Sequence, residues 1–165
     1  MGTRTISFSL DRKSIGMAIK EVQKYKKDFE AHVQKLVQEL VDEGVIEAKI
    51  QVAFMSAIDT GTLQSSIHGF YDSSMRVGYI RTGVDYAAFV EYGTGVVGAG
   101  APHPAPEGWA YDVNSHGESG WIYKSDRDGQ FHWTKGMPSR PFMYNTYKYL
   151  QQIASRVAEN VFEDL

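Results

Sequence analysis

The sequence contains no cysteine. Disulfides, thiolate zinc sites and cysteine nucleophiles are therefore excluded, and nothing marks the chain as built for an oxidising compartment. No stretch approaches the roughly 18 apolar residues of a membrane span, and the opening "MGTRTISFSLDRK" lacks the apolar run of a signal peptide. The chain reads as soluble and made in a cytoplasm. An excess of one charge is missing too. The net charge of -3 and the pI near 5.9, with both signs spread along the chain, give no general pull toward nucleic acid or an anionic membrane. At 165 residues, one domain spanning 1–165 around a single core is expected.

What is present is mostly helical and aromatic patterning. Ile6, Phe8 and Leu10 alternate, the period of a short strand or extended arm. From Ser14 to Glu43, apolar residues at Ile15, Ile19, Val22, Phe29, Val33, Leu36 and Leu40 step by three and four, which predicts a long amphipathic helix. Gly44 then suggests a kink or break, with more helix to about Ala57. "SSIHGFY" and "MRVGYIRTGV" around Asp72-Ser73-Ser74 read as a hairpin. "DYAAFVEYG" reads as a short helix with Asp85 as N-cap, Tyr86, Phe89 and Val90 on one side, and Gly93 as its stop.

Residues 95–120 hold most of the prolines and many glycines and are expected to be an exposed loop. A second hairpin, around "SDRDG", carries Trp121, Tyr123, Phe131 and Trp133, and residues 95–137 together look like an inserted loop and hairpin. A last helix runs from Phe142 to about Phe162 with Phe142, Tyr149, Ile153, Val157 and Val161 on one stripe. The expected class is α+β: a long N-terminal helix and a C-terminal helix packed on a small antiparallel sheet, with an inserted aromatic hairpin arm.

Three patterns mimic chemical sites. Asp59-Thr60-Gly61 is the tripeptide of aspartic proteases, which need two carboxylates sharing a proton, so one copy per chain would require a homodimer. That loop normally lies between strands, whereas Asp59 follows a helical segment. The local alternative is a turn, with Asp59 or Thr60 accepting backbone N–H groups and Gly61 supplying a conformation that Cβ-bearing residues avoid. Gly93 to Gly98 matches G-x-G-x-x-G but follows a helix and precedes prolines, the wrong context for a dinucleotide site. His103, His116 and His132 with Glu91 could be assembled into a metal site on paper, yet no pair has helical ligand spacing, so surface histidines are expected. No cofactor is implied, and the chain offers no positive case for catalysis.

"DTGTLQSSI" (59–67), "YAAFVEYGT" (86–94) and "GMPSRPFMYNTYKYL" (136–150) occur in that order. Together they resemble the neck, or tail-completion, protein family of long-tailed bacteriophages, and the "GW…Y…TKGMPSRPFM" region resembles members from Gram-positive hosts. Gln64 departs from the pattern, since many members carry a basic residue there. The resemblance implies a non-catalytic virion subunit at the head-to-tail junction, assembled in the host cytoplasm. It would act with copies of itself in a ring, a hexamer by the symmetry of such tails, and with tail tube or tail terminator proteins and head-completion or connector proteins. It would take no small-molecule substrate, no specific nucleic acid sequence and no membrane.

In such a protein Asp59, Thr60, Gly61, Leu63, Tyr86, Phe89, Glu91, Gly93, Pro141 and Phe142 would determine the fold. Contacts would then come from the aromatic hairpin, through Trp121, Tyr123, Phe131 and Trp133, and from the arm around Ile6 and Phe8. The tryptophans could instead cap their own subunit's core. The competing functions are a homodimeric aspartic protease using Asp59 and another ring component, a connector or tail terminator.

Overall fold

The computed structural model describes residues 5–55, 57, 61–112, 115–125 and 127–163. Asp59 and Thr60 lie outside them. Helix α1 spans Arg12–Phe54 and opens on Asp11, whose Oδ1 accepts the Lys13 and Ser14 N–H groups at 3.0 and 2.9 Å. Ser9 closes the cap by donating its hydroxyl to the same carboxylate, so residues 5–9 lead into the helix without pairing as the expected strand.

The expected break at Gly44 is absent, because that glycine serves packing. A Cβ there would stand 2.2 Å from Ile80 Cδ1 and 3.0 Å from Leu150 Cδ1. Gly44 thus lets the continuous helix approach a strand and the last helix together.

A short helix α2 (Thr62–Ser66) follows, entered through Gly61 in the left-handed region at φ 80°. It buries Leu63, and Gln64 Nε2 donates to the Lys49 carbonyl of α1 at 2.9 Å. Strands β1 (His68–Asp72) and β2 (Val77–Arg81) form the expected antiparallel hairpin, with Phe70 opposite Tyr79 and Tyr71 opposite Gly78. Its inner face is glycine-rich for a reason. Cβ atoms on Gly69 and Gly78 would meet Val41 methyl carbons at 2.2 and 2.4 Å, so the sheet lies directly on α1. The outer face carries the stacked pair Phe70–Tyr79, centroids 4.8 Å apart, with Arg81 over Phe70.

Helix α3 (Ala87–Tyr92) starts at Tyr86, without a side-chain cap, so Asp85 does not act as N-cap. It buries Ala87, Val90 and Glu91, leaving Tyr86 and Phe89 on the more exposed side. The helix α4 (Gly95–Gly100) occupies part of the expected loop. The second hairpin is β3 (Trp121–Lys124) with β4 (Phe131–Thr134), and a two-residue strand β5 (Gly136–Met137) bridges Gly95 and Thr94.

Helix α5 (Phe142–Val161) runs back along α1. Asn145 reaches Gln51 at 3.1 Å, Tyr149 reaches Glu43 at 3.3 Å, and Phe162 lies 5.5 Å from Phe29 between ring centroids. One core joins Ala48, Val52, Leu63, Ile67, Ala87, Val90 and Phe142; a second joins Ile153, Val157 and Val161 to Leu36 and Leu40. The protein is α+β, with α5 and the β1–β2 hairpin sharing α1 as their platform.

Two outcomes follow from these contacts. Gly78→Val forces two methyl groups into the Val37 and Val41 side chains and should lower stability by about 1–3 kcal/mol, read by chemical denaturation. Asp72 Oδ1 accepts from Ser74 Oγ (2.6 Å), Ser74 N (2.8 Å) and Met75 N (3.0 Å), and these bonds, the Ser74 hydroxyl first, hold its pKa below the ordinary 3.8. A depressed carboxylate pKa stabilises the fold above 3.8, and that contribution is lost as pH falls through the lower folded value. Asp72→Asn should therefore lose less stability than the wild type below pH 3.8 in an acid titration of unfolding.

Candidate functional site: a carboxylate clamp at the start of the last helix

An α-helix begins with backbone N–H groups that have no partner within it. In α5 two of them are met from 50 residues away in sequence: Glu91 Oε2 accepts Met143 N–H at 2.8 Å, and Oε1 accepts Tyr144 N–H at 2.9 Å. Both bonds join residues more than 50 positions apart in sequence, so the cap is tertiary. A carboxylate here also faces the positive end of the helix dipole, worth up to about 2 kcal/mol in a partly buried setting. Pro141 precedes the helix, where its missing N–H costs nothing, and Phe142 beside it is fully buried.

Glu91 has a third partner. His103 Nε2 lies 3.0 Å from Oε1, and the two residues are only 7% and 4% exposed. An ionised carboxylate can only accept, so Nε2 carries the shared proton. Nδ1 meets Ala105 N at 3.0 Å and Ala105 O at 2.9 Å. Burying the carboxylate costs several kcal/mol unless such donors surround it, and here three do.

Aromatic contacts hold the surrounding strap against α3. Tyr92 stacks between His103 and Trp109, at centroid distances of 4.4 and 4.8 Å, while Trp109 Nε1 donates to the Gly93 carbonyl at 3.0 Å. Tyr111 Oη accepts the His103 N–H at 3.1 Å. Residues 101–111 are mostly exposed, as expected of the loop, yet they pass over α3, and His103 is buried where a surface histidine was expected.

Gly93 ends α3 at φ 80°, and a Cβ there would lie 2.6 Å from Ser139 N. Ser139 Oγ and Arg140 N donate to the Glu91 and Val90 carbonyls at 2.6 and 2.9 Å, completing the clamp between α3 and the approach to α5.

An open cleft of about 470 Å³ borders the clamp, lined in part by Ala88, Tyr92, Ala105 and Tyr147. The clamp can hold a helix in place; its carboxylate oxygens are already occupied by donors. The other histidines are not brought to it. His116 stacks on Trp121 at 5.6 Å, and His132 pairs with Asp128 at 2.9 Å on the outer hairpin. Among the described residues, no group of three metal-capable side chains occurs.

The proposed contact residues lie apart from the clamp. Ile6 is half-buried and Phe8 exposed ahead of α1; Tyr123, Phe131 and Trp133 are exposed on the hairpin, whereas Trp121 is half-buried near Gly95. The tryptophans belong to neither core cluster. Asp59 lies outside the described residues, and the described elements that precede and follow it in sequence are the helices α1 and α2.

Residues 18–93 match the family model described as "Bacteriophage HK97-gp10, putative tail-component". That segment is similar to phage tail components. The match agrees with the resemblance to neck and tail-completion proteins. It covers Asp59–Ile67 and Tyr86–Gly93 and ends two residues before the 95–137 region begins. The matched segment holds most of α1, the β1–β2 hairpin and α3, and its Glu91 caps α5. No curated protein and no solved structure matches the chain. The comparisons lend the protease reading no support, and among the described residues no helix is long and apolar enough to cross a membrane.

Sequence reading reached Glu91, Gly93, Pro141 and Phe142 but missed His103, Trp109, Tyr111 and Ser139. One signal was available: a glutamate inside the apolar run "AAFVEY" must find donors once that face is buried. Glu91→Ala should cost about 3–5 kcal/mol, since it leaves His103 and two helix N–H groups without their acceptor. Glu91→Gln keeps the shape and should cost less. Hydrogen exchange should then quicken first at Met143 and Tyr144.

Proposed function

We propose that this protein is a non-enzymatic structural subunit of the phage neck, a tail-completion protein that joins the tail to the head by assembling as a ring. The observation that carries this reading is the clamp. The second and third sequence islands, 86–94 and 136–150, meet physically through Glu91, so the residues that carry the resemblance work as one structural unit. The family match to a tail component supports the same assignment. Residues 1–165 are read as one domain in which 95–137 is an insertion.

A ring subunit needs two different patches that meet on neighbouring copies. The exposed aromatic hairpin and the segment around Ile6 and Phe8 are the surfaces offered to the tail tube, tail terminator or head connector. The protein would be found in the virion after assembly in the host cytoplasm.

Electron microscopy of lysates from the parent phage with this gene deleted, beside a complemented control, tests the reading. Filled heads separated from tails, or tails with abnormal upper ends, are expected. Normally joined particles would overturn it. Complementation with Glu91→Ala should fail at a temperature where that variant is unfolded, and complementation with Asp59→Asn should succeed, since no catalysis by Asp59 is invoked.

A further inference from the structure

Helix α1 is longer than anything that covers it. At about 1.5 Å per residue, its 43 residues extend about 65 Å, against about 30 Å for the 20 residues of α5. Because Phe162, just past the end of α5, packs on Phe29 and His32, the first part of α1 continues beyond that end. Every buried residue of α1 lies from Val41 onward. The apolar stripe does not stop there: Ile15, Ile19 and Val22 continue it, the last two more than half exposed.

Charge divides the same helix. The overhang carries Arg12, Lys13, Lys20, Lys24, Lys26 and Lys27 against Glu21 and Asp28, whereas Glu39, Asp42, Glu43 and Glu47 outnumber Lys35 and Lys49 in the second half. Arg12 and Lys13 in the first turn oppose the helix dipole, so local helix stability does not account for them. The acidic half has its own exposed apolar row, Ile46, Ile50 and Phe54, each more than half exposed and spaced by four. Glu39, Glu43 and Glu47 follow the same spacing alongside it. Lys35 lies 3.7 Å from Glu39, while Glu43 and Glu47 take hydrogen bonds from the neutral side chains Tyr149 and Gln51.

We infer that the basic overhang of one copy docks on the acidic half of α1 in a second copy, setting Ile15, Ile19 and Val22 against Ile46, Ile50 and Phe54. Overhang against overhang would oppose like charges. Nucleic acid would satisfy the lysines but leave both apolar rows in water, which is why a protein surface fits better. The inference rests on the self-assembly in the proposed function and names the surface that performs it.

Sedimentation of the full-length purified chain at low and high salt tests it, with two charge-reversed variants, Arg12→Glu/Lys26→Glu and Glu39→Lys/Glu43→Lys. All four positions are exposed or lie on the surface of α1, and circular dichroism checks that each variant folds. The wild type should associate with rising concentration and less so in high salt. Each variant alone should associate at least about tenfold more weakly, and an equal mixture of the two should recover association. Ile19→Asp and Ile50→Asp should each weaken it as well.

A wild type that stays monomeric up to about 1 mM, or variants that associate as it does, would overturn the inference. So would an overhang variant that loses only binding to duplex DNA. Failure here with a neck defect in the deletion phage removes the surface and keeps the function; association without any particle defect does the reverse.

Discussion

The fold turns on one carboxylate. Glu91 lies in a short helix that is itself too small to be stable alone, and it terminates the orphan amides of a 20-residue helix that arrives from the other end of the chain. Holding it buried demands hydrogen-bond donors. The backbone of α5 and the ring of His103 supply them, and the requirement drags residues 101–111 into place as a strap over α3. Helix position, strap and the Gly93 turn are therefore consequences of one electrostatic need.

The second constraint is the length of α1. A single helix serves as floor for the β1–β2 hairpin, for α2 and for α5, and it can do so because glycines at 44, 69 and 78 allow backbone and side chains to close on it. One face of its central and C-terminal turns, through Val41, Gly44, Ala48 and Val52, is buried in the subunit's own core. Its first turns are left with an apolar stripe and a set of lysines that the subunit does not cover, a division between self-stabilisation and outward contact suited to a particle component.

Much of this architecture was legible in advance. The α+β class, both long helices, both hairpins and the stop at Gly93 are written in spacing, since a buried helix face repeats at three and four and a hairpin alternates around its turn. Where reading failed, it failed for identifiable reasons. Gly44 looked like a breaker because helix propensity penalises glycine, yet tight packing against Ile80 and Leu150 outweighs that penalty. Asp85 looked like a cap, but the helix began two residues later. Residues 95–120 read as an exposed loop and most of them are exposed, but nothing in their proline and glycine pattern shows that His103 and Trp109 pack on α3.

What the sequence by itself determined is local: the periods of its helices and strands, the glycines that bend it, and three short islands in a fixed order. Which polar groups satisfy one another was decided only by the tertiary structure. A hydrogen bond between Glu91 and residues 143 and 144 leaves no periodic trace, because it depends on where a helix end happens to arrive and not on which residues flank it. His103 became a core residue for the same reason, since burial is a property of the neighbours that the completed fold brings together.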